Sequence, residues 1–283
     1  MKNLTILFSL VIAFLGCEEL VDPGMLPYEE KLVVMGVLEA GAPVSIYVSK
    51  TFPLDQSEIP KEVKITTLTG TLSVNGVSYP LVYKGMKYFR DFPDSIGFSE
   101  YTVTNHLVAA GQRYELEASW NGKKIRARTP VAHPITIDSV AFSLVSLDTI
   151  RYGPPVLRLI GTVSAFLTPF QNQSYDIFIE DHLGNRNRPF VRYPDTLSNG
   201  QLHFRTQWGF YVPLETPSYL DSTNVGVASY DPVSEELRKR LPSKYSDDYM
   251  FFPEFRESYW NIEGDGIGLF LGRSMSKRRL KVL

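Results

Sequence analysis

Two of the three Asn-Gly pairs, Asn75-Gly76 and Asn121-Gly122, each stand between short segments in which apolar and polar residues alternate, and the third, Asn199-Gly200, marks a further turn. This feature constrains the fold more than any other in the chain. A two-residue hairpin loop needs positive φ at both central positions, which Asn and Gly supply at little cost. Alternation with period two puts one face of each strand in a core and the other in water. The segment Tyr114-Glu115-Leu116-Glu117-Ala118 shows this pattern. Such a chain is expected to be mainly β.

Further segments of strand length fill most of the sequence. Residues 32–38 form a continuous apolar run, and 44–49 alternate. Residues 63–68, 71–74 and 77–83 read as strands, as do 113–120 and 123–129 around the second Asn-Gly pair. Thr129-Pro130-Val131-Ala132-His133-Pro134 then reads as a boundary, because two prolines disfavour helix and remove ladder donors. Strands at 135–147, 156–165, 174–181, 201–210 and 224–230 follow it. One short helix is expected near residue 231. Asp231 suits its cap, Pro232 its first position, and Glu235 and Glu236 its start. Arg238, Lys239 and Arg240 suit its end, and Pro242 its stop. The expected architecture is two β-sandwich-like domains, immunoglobulin- or transthyretin-like, with one short helix in the second. The expected division is residues 28–131 and 132–283.

The first residues carry an address. Met1-Lys2-Asn3 holds one positive charge, and residues 4–15 are apolar except for Thr5 and Ser9. Gly16-Cys17 comes next, with Glu18-Glu19 behind it. The run is too short to span a bilayer and has the layout of a secretory signal. Cys17 is the single cysteine, placed where a lipoprotein signal peptidase leaves its acylated residue. The stretch Phe14-Leu15-Gly16-Cys17 departs from the usual lipoprotein box at its first two positions and keeps the small residue at the cleavage point. Residues 1–16 are therefore expected to be a leader, Cys17 the lipidation site, and 17–27 a tether. Several acyl chains on one cysteine anchor stably where a single chain does not. The acidic cluster Glu18, Glu19 and Asp22 resembles the surface-export signal of Bacteroidota lipoproteins, and also suits a plain solvated tether.

Motifs for chemistry are sparse. The net charge of −2 gives no global field for nucleic acid. His106, His133, His182 and His203 are too far apart in sequence for a His-Glu-x-x-His zinc site. There is no Gly-x-Ser-x-Gly elbow. Gly264-Asp265-Gly266-Ile267-Gly268 lacks the third glycine of a nucleotide loop and has no βαβ context, so it reads as a tight turn into a terminal strand at 267–271, where glycine permits a bulge or close backbone approach. Asp247, Asp248 and Asp265 do not follow calcium-loop spacing. Asp91, Asp94 and Glu100 are carboxylates without a defined separation. Lys277-Arg278-Arg279-Leu280-Lys281 reads as a solvated basic tail, with acidic headgroups or a partner as the alternative. No metal, cofactor or catalytic residue is expected. Tyr259 and Trp260, beside the aromatic run Tyr249-Met250-Phe251-Phe252, read as core residues or as a ligand platform.

Several stretches together resemble an uncharacterised Bacteroidota lipoprotein family, a domain of unknown function. They are Cys17 followed by residues 31–38, Ala110-Gly111-Gln112-Arg113-Tyr114-Glu115-Leu116 with Thr129-Pro130, Trp260-Asn261-Ile262-Glu263-Gly264, and Gly266-Ile267-Gly268-Leu269-Phe270. The resemblance spans nearly the whole chain. It implies an envelope lipoprotein encoded beside TonB-dependent transporters of the starch-utilisation type, and it implies no catalytic residues. The expected function is a non-enzymatic outer-membrane lipoprotein, facing outward, acting as an accessory or binding subunit of such a transporter. The alternative is an independent glycan- or peptide-binding, adhesive surface protein.

Overall fold

The computed structural model describes residues 28–53, 63–88, 97–150, 156–180, 186–187, 195–213, 223–234, 236 and 261–282. The first part of the chain supplies β1 (Leu32–Glu39), β2 (Ile46–Lys50), β3 (Thr69–Val74), β4 (Val77–Pro80), β5 (Val82–Tyr88), β6 (Gly97–Thr102), β7 (Arg113–Trp120) and β8 (Lys123–Pro130). The rest supplies β9 (Thr136–Ile150), β10 (Val156–Thr168), β11 (Ser174–Glu180), β12 (Arg186–Asn187), β13 (Asp195–Thr196), β14 (Leu202–Pro213), β15 (Asn224–Tyr230), β16 (Ile262–Gly264), β17 (Gly266–Arg279) and β18 (Lys281–Val282). They build a central sheet of order β12-β11-β15-β17-β1-β2-β6-β5. One smaller sheet, β16-β8-β7-β3-β4, closes a core against half of it. Another, β13-β14-β10-β9-β18, closes a second core against the other half. The protein is mainly β and sandwich-like, as the turn and strand pattern implies.

The Asn-Gly turns form as expected. Asn75 and Gly76 have φ of 51° and 77°, Asn121 and Gly122 47° and 81°, and both join antiparallel neighbours through two-residue loops. The helix also starts where expected. Asp231 Oδ1 accepts from the Val233 and Ser234 amides at 2.8 and 3.3 Å, and residues 232–234 are helical. Its expected end, Arg238 to Pro242, lies outside the described residues.

Three strand readings need correction. Residues 63–68 join no ladder, although Val63, Ile65 and Leu68 are buried. Side chains take the place of a neighbouring strand. The Ile65 amide donates to Ser99 Oγ at 2.7 Å, Tyr101 Oη donates to the Ile65 carbonyl at 2.7 Å, and the Leu68 amide donates to Tyr101 Oη at 3.2 Å. Residues 77–83 are two strands, with β4 and β5 in different sheets. The break falls at Leu81, directly after Pro80, which closes β4 without an amide to donate. The last long strand does not stop near residue 271. It runs to Arg279 and absorbs most of the supposed basic tail. Lys277 Nζ donates to both carboxylate oxygens of Glu180 at 2.7 Å, and Leu280 is buried.

Strand β17 joins the two halves. Its residues 266–273 pair parallel with β1, and 273–279 pair antiparallel with β15. Phe270 and Ile262 belong to the first core, and Leu280 to the second. Neighbouring β1 and β17 are buried on both faces. Leu32, Val34 and Leu38 enter the first core, while Met35, Ile267, Leu269 and Leu271 alternate with core positions and are also buried. A strand covered on both sides needs no polar face, which accounts for the continuous apolar run at 32–38.

The glycines of this region make room for neighbouring backbone. A Cβ on Gly268, whose φ is +131°, would overlap the Val34 carbonyl, and one on Gly272 would overlap that of Pro130. A Cβ on Gly36 would lie 2.8 Å from the Phe270 ring. On the side of β17 away from β1, before pairing with β15 begins at Arg273, Asn261 supplies a side-chain ladder. Its Oδ1 accepts from the Phe270 amide at 2.8 Å, and its Nδ2 donates to the Phe270 carbonyl at 2.6 Å.

The linker after Pro130 is held along β17 by side chains. Ser274 donates to the Ala132 carbonyl, Ser276 to that of Ile135 at 2.5 Å, and Arg278 to those of Ile137 and Asp138. Ser229 donates to the His133 carbonyl at 2.7 Å. The His133 ring stacks on Phe170 with centroids 4.1 Å apart, and it covers Gly111, where a Cβ would overlap the imidazole.

Candidate functional site

A shallow groove of about 580 Å³ lies at the β3, β7, β8 and β16 strands of the first smaller sheet. Thr69, Gly70, Glu117, Ala118, Ser119, Lys124, Ile125, Arg126, Glu263 and Gly264 line it. The hairpin register decides which charges meet. With Trp120 opposite Lys123, Ser119 falls opposite Lys124, Glu117 opposite Arg126 and Glu115 opposite Arg128. Strand β16 then sets Glu263 opposite Arg126 from the other side. Opposite charges facing each other across strands are mildly stabilising.

Arg126 is ion-paired with Glu115 and lies 3.4 Å from Glu117, and Arg128 lies 3.2 Å from Glu115. Hydrogen bonding from Arg126, reinforced by Arg128, holds the Glu115 carboxyl below its ordinary pKa. The Gly264 turn is fixed by Asp265. Its amide donates to the Lys124 carbonyl at 2.9 Å, and its Oδ2 accepts from the Lys124 amide at 2.9 Å. Gly264 has φ of +90°, and a Cβ there would overlap the Lys124 carbonyl. Carboxylate, ammonium, guanidinium and hydroxyl groups thus meet over a floor with two glycines. That set can exchange many hydrogen bonds with a polar ligand or with a protein surface.

The groove also has a defined position. The Leu32 amide donates to the Asp265 carbonyl at 3.1 Å, so the groove rim adjoins the start of β1. That is the end of the sandwich at which the chain arrives from residues 17–27.

Cys17, Tyr259 and Trp260 lie outside the described residues, as do Asp91, Asp94, Asp247, Asp248 and His182. Glu100 is buried on β6, and its Oε1 accepts from Ser45 and Lys84, each at 3.0 Å. His106 hydrogen-bonds Tyr114 Oη at 3.0 Å and packs on Tyr79, and His203 stacks on Phe166. With His133 in the linker, each described histidine packs against an aromatic ring. Among the described residues no group of three His, Cys, Asp or Glu side chains is placed to hold a metal ion. None of their helices is long and apolar enough to cross a membrane.

Sequence reasoning missed the groove residues, although part of the signal was present. Counting outward from Asn121-Gly122 pairs Glu117 with Arg126 and Glu115 with Arg128. No local pattern connects Glu263 to Arg126, which is 137 positions earlier in the register of β16 with β8.

The chain matches the family model described as Domain of unknown function (DUF4249) over residues 18–271. No curated protein matches it. Solved structures to which it is similar include bovine butyrophilin, at 8% identity and a TM-score of 0.18, covering 73% of this chain and 94% of that one. A pullulanase complexed with maltotriose from Anoxybacillus sp. LM18-11 is similar at 11% identity and a TM-score of 0.23, covering 70% of this chain and 24% of that one. The family match spans most of the sequence, and the chain belongs to the DUF4249 family.

Proposed function

We propose that this DUF4249 member is a non-enzymatic lipoprotein of the outer membrane, displayed outward, that serves as an accessory or binding subunit of a TonB-dependent nutrient transporter. The position of the groove carries this reading. It adjoins the end of the first sandwich where the chain arrives from Cys17. The eleven residues of the tether span at most about 40 Å when fully extended. A groove joined to an acylated cysteine by a tether of that length would be within reach of a partner embedded in the same membrane. The leader, the single cysteine behind it and the acidic residues after it support the location.

The test is recovery of the tagged, lipidated protein from its native envelope, with mass spectrometry of what accompanies it. A TonB-dependent transporter in near-equal amount is expected, and Arg126→Glu is expected to reduce its recovery. Recovery of the wild-type protein alone would overturn the reading. The mixed charges and hydroxyls of the groove favour a second reading, an independent glycan- or peptide-binding surface protein. Glycan and peptide arrays address it.

A further inference from the structure

We infer that Asn121 is a site of spontaneous modification, where loss of ammonia and uptake of water give aspartate and isoaspartate and undo the hairpin that lines the groove. The reaction belongs to the chemistry of asparagine followed by glycine. The glycine amide loses its proton to solvent, and its nitrogen attacks the asparagine Cγ. A C–N bond forms, the bond from Cγ to Nδ2 breaks, and ammonia leaves a five-membered succinimide. Water then adds to one of the two ring carbonyls. Opening at Cγ gives aspartate. Opening at the main-chain carbon gives isoaspartate, with one extra atom in the backbone.

The hairpin tip favours ring closure. Asn121 and Gly122 have φ of 47° and 81°, the pair that belongs to a type I′ turn. Trp120 and Lys123 close that turn as the last pair of the ladder. Rotating the peptide between Asn121 and Gly122 converts type I′ into type II′, the other turn that suits a two-residue hairpin, and leaves the closing pair in place. Type II′ puts ψ of its first central residue near about −120°, where the next nitrogen eclipses Cβ. A five-membered ring needs that arrangement. Both residues are exposed, and among the described residues neither the Asn121 side chain nor the Gly122 amide has a hydrogen-bond partner. Lys123 and Lys124 follow directly, and their positive charges favour the deprotonated nitrogen.

Other asparagines of this chain lack one of these conditions. In Asn199-Gly200 the Gly200 amide donates to the Leu197 carbonyl at 2.9 Å. The Asn199 side chain is held at both ends by Gln201, whose amide donates to Oδ1 at 3.0 Å and whose Oε1 accepts from Nδ2 at 2.8 Å. Attack there must first break these bonds. Asn105 and Asn172 have positive φ, but His106 and Gln173 follow them, and those side chains crowd the nitrogen. Asn75-Gly76 shares the free tip, with φ of 51° and 77°, and reacts by the same route, but it does not line the groove.

The product matters at Asn121 because Ser119, Lys124 and Arg126 line the groove from this hairpin. A two-residue loop has no place for an added backbone atom. The Trp120–Lys123 and Ala118–Ile125 pairs therefore open, and the register that sets Glu117 opposite Arg126 goes with them. This consequence rests on the groove as the binding site, and the reaction itself does not.

The test follows the full-length protein during incubation in neutral buffer, with peptide mapping by mass spectrometry to resolve Asn, Asp and isoaspartate at each position. Folded protein is compared with protein unfolded in urea. The three Asn-Gly pairs are expected to convert at similar rates when unfolded. In the folded protein Asn121 is expected to convert at least about tenfold faster than Asn199, whose hydrogen bonds must break first. Equal rates in the folded protein, or an intact Asn121, would overturn the assignment. The fraction carrying isoaspartate at 121 is expected to exchange its Ala118 and Ile125 amides at least about tenfold faster than fresh protein. Fresh Asn121→Asp, which has the added charge without the added atom, is expected to exchange like the wild type. Unchanged exchange in the isoaspartate fraction would overturn the loss of register. No transporter takes part in either measurement, so a failure here is distinct from failure of the transporter role.

Discussion

Replacing Phe270 with Ala tests whether the two sandwiches unfold as one. The ring is fully buried in the first core, on the strand that continues into the second sheet pairing. Truncating a buried phenylalanine costs about 3–5 kcal/mol. The neighbour across the ladder is Gly36, which has no side chain to move into the space, so the upper half of that range applies. For a urea m-value of about 3 kcal/mol/M, a loss of 4 kcal/mol lowers the midpoint by roughly 1.3 M. Trp120 packs against the first core and Trp208 against the second. Variants keeping one tryptophan each report the two cores separately by fluorescence. Both midpoints are expected to fall together in Phe270→Ala, because β17 cannot leave β1 without losing register against β15. The Arg273–Glu39 ion pair at 2.9 Å sits at that changeover. A Trp208 transition that stays in place while Trp120 shifts would falsify the shared-strand argument.

Other outcomes follow from the same geometry. A fragment of residues 18–131 lacks β16 and β17 and is expected to show no cooperative thermal transition by circular dichroism. Gly268→Ala is expected to destabilise by about 3 kcal/mol or more, because strain at its φ adds to overlap with the Val34 backbone. Gly41→Ala, at φ +81° in open space, is expected to cost only about 1–2 kcal/mol in the same urea titration. Tyr101→Phe leaves the Ile65 carbonyl and Leu68 amide without their buried partner. It is expected to cost about 1–3 kcal/mol and to speed hydrogen exchange at Leu68. Burial holds the Tyr101, Tyr114 and Tyr175 hydroxyls above their ordinary pKa of 10.0. The unfolded chain therefore releases these protons first, and stability is expected to decline as pH rises above about 10. Replacing all three with Phe is expected to flatten that alkaline limb in pH-dependent denaturation.

The hairpins were legible because their cause is local. Asn75-Gly76 and Asn121-Gly122 take up the required φ with their own backbones, and the alternation beside them names the buried face. Asp231 was legible for the same reason, since a cap bonds amides two and three residues away. The segment 63–68 misled because burial alternates at 63–66 as in a strand, while its partners are the side chains of Ser99 and Tyr101. The charged end misled only in part, since Lys277, Arg278 and Arg279 are exposed as a solvated end would be but belong to a paired strand. Lys277 and Arg278 suggest a solvated tail until Glu180 and the Ile137 carbonyl, both distant in sequence, come to meet them.

Local residue patterns suffice for the mainly β character, the two hairpin registers and the presence of strand-length apolar runs. Each depends on φ preference or on period-two burial, which a few neighbouring residues express. Long-range pairing alone determines that the glycine-rich stretch at 264–272 packs against β1 and β8, and that β17 pairs with both β1 and β15. It alone brought Glu263 to Arg126 beside the chain entry. Those outcomes depend on which strands lie side by side across more than a hundred residues. Interstrand backbone hydrogen bonds are alike for every sequence, so no local pattern records which partner a strand takes.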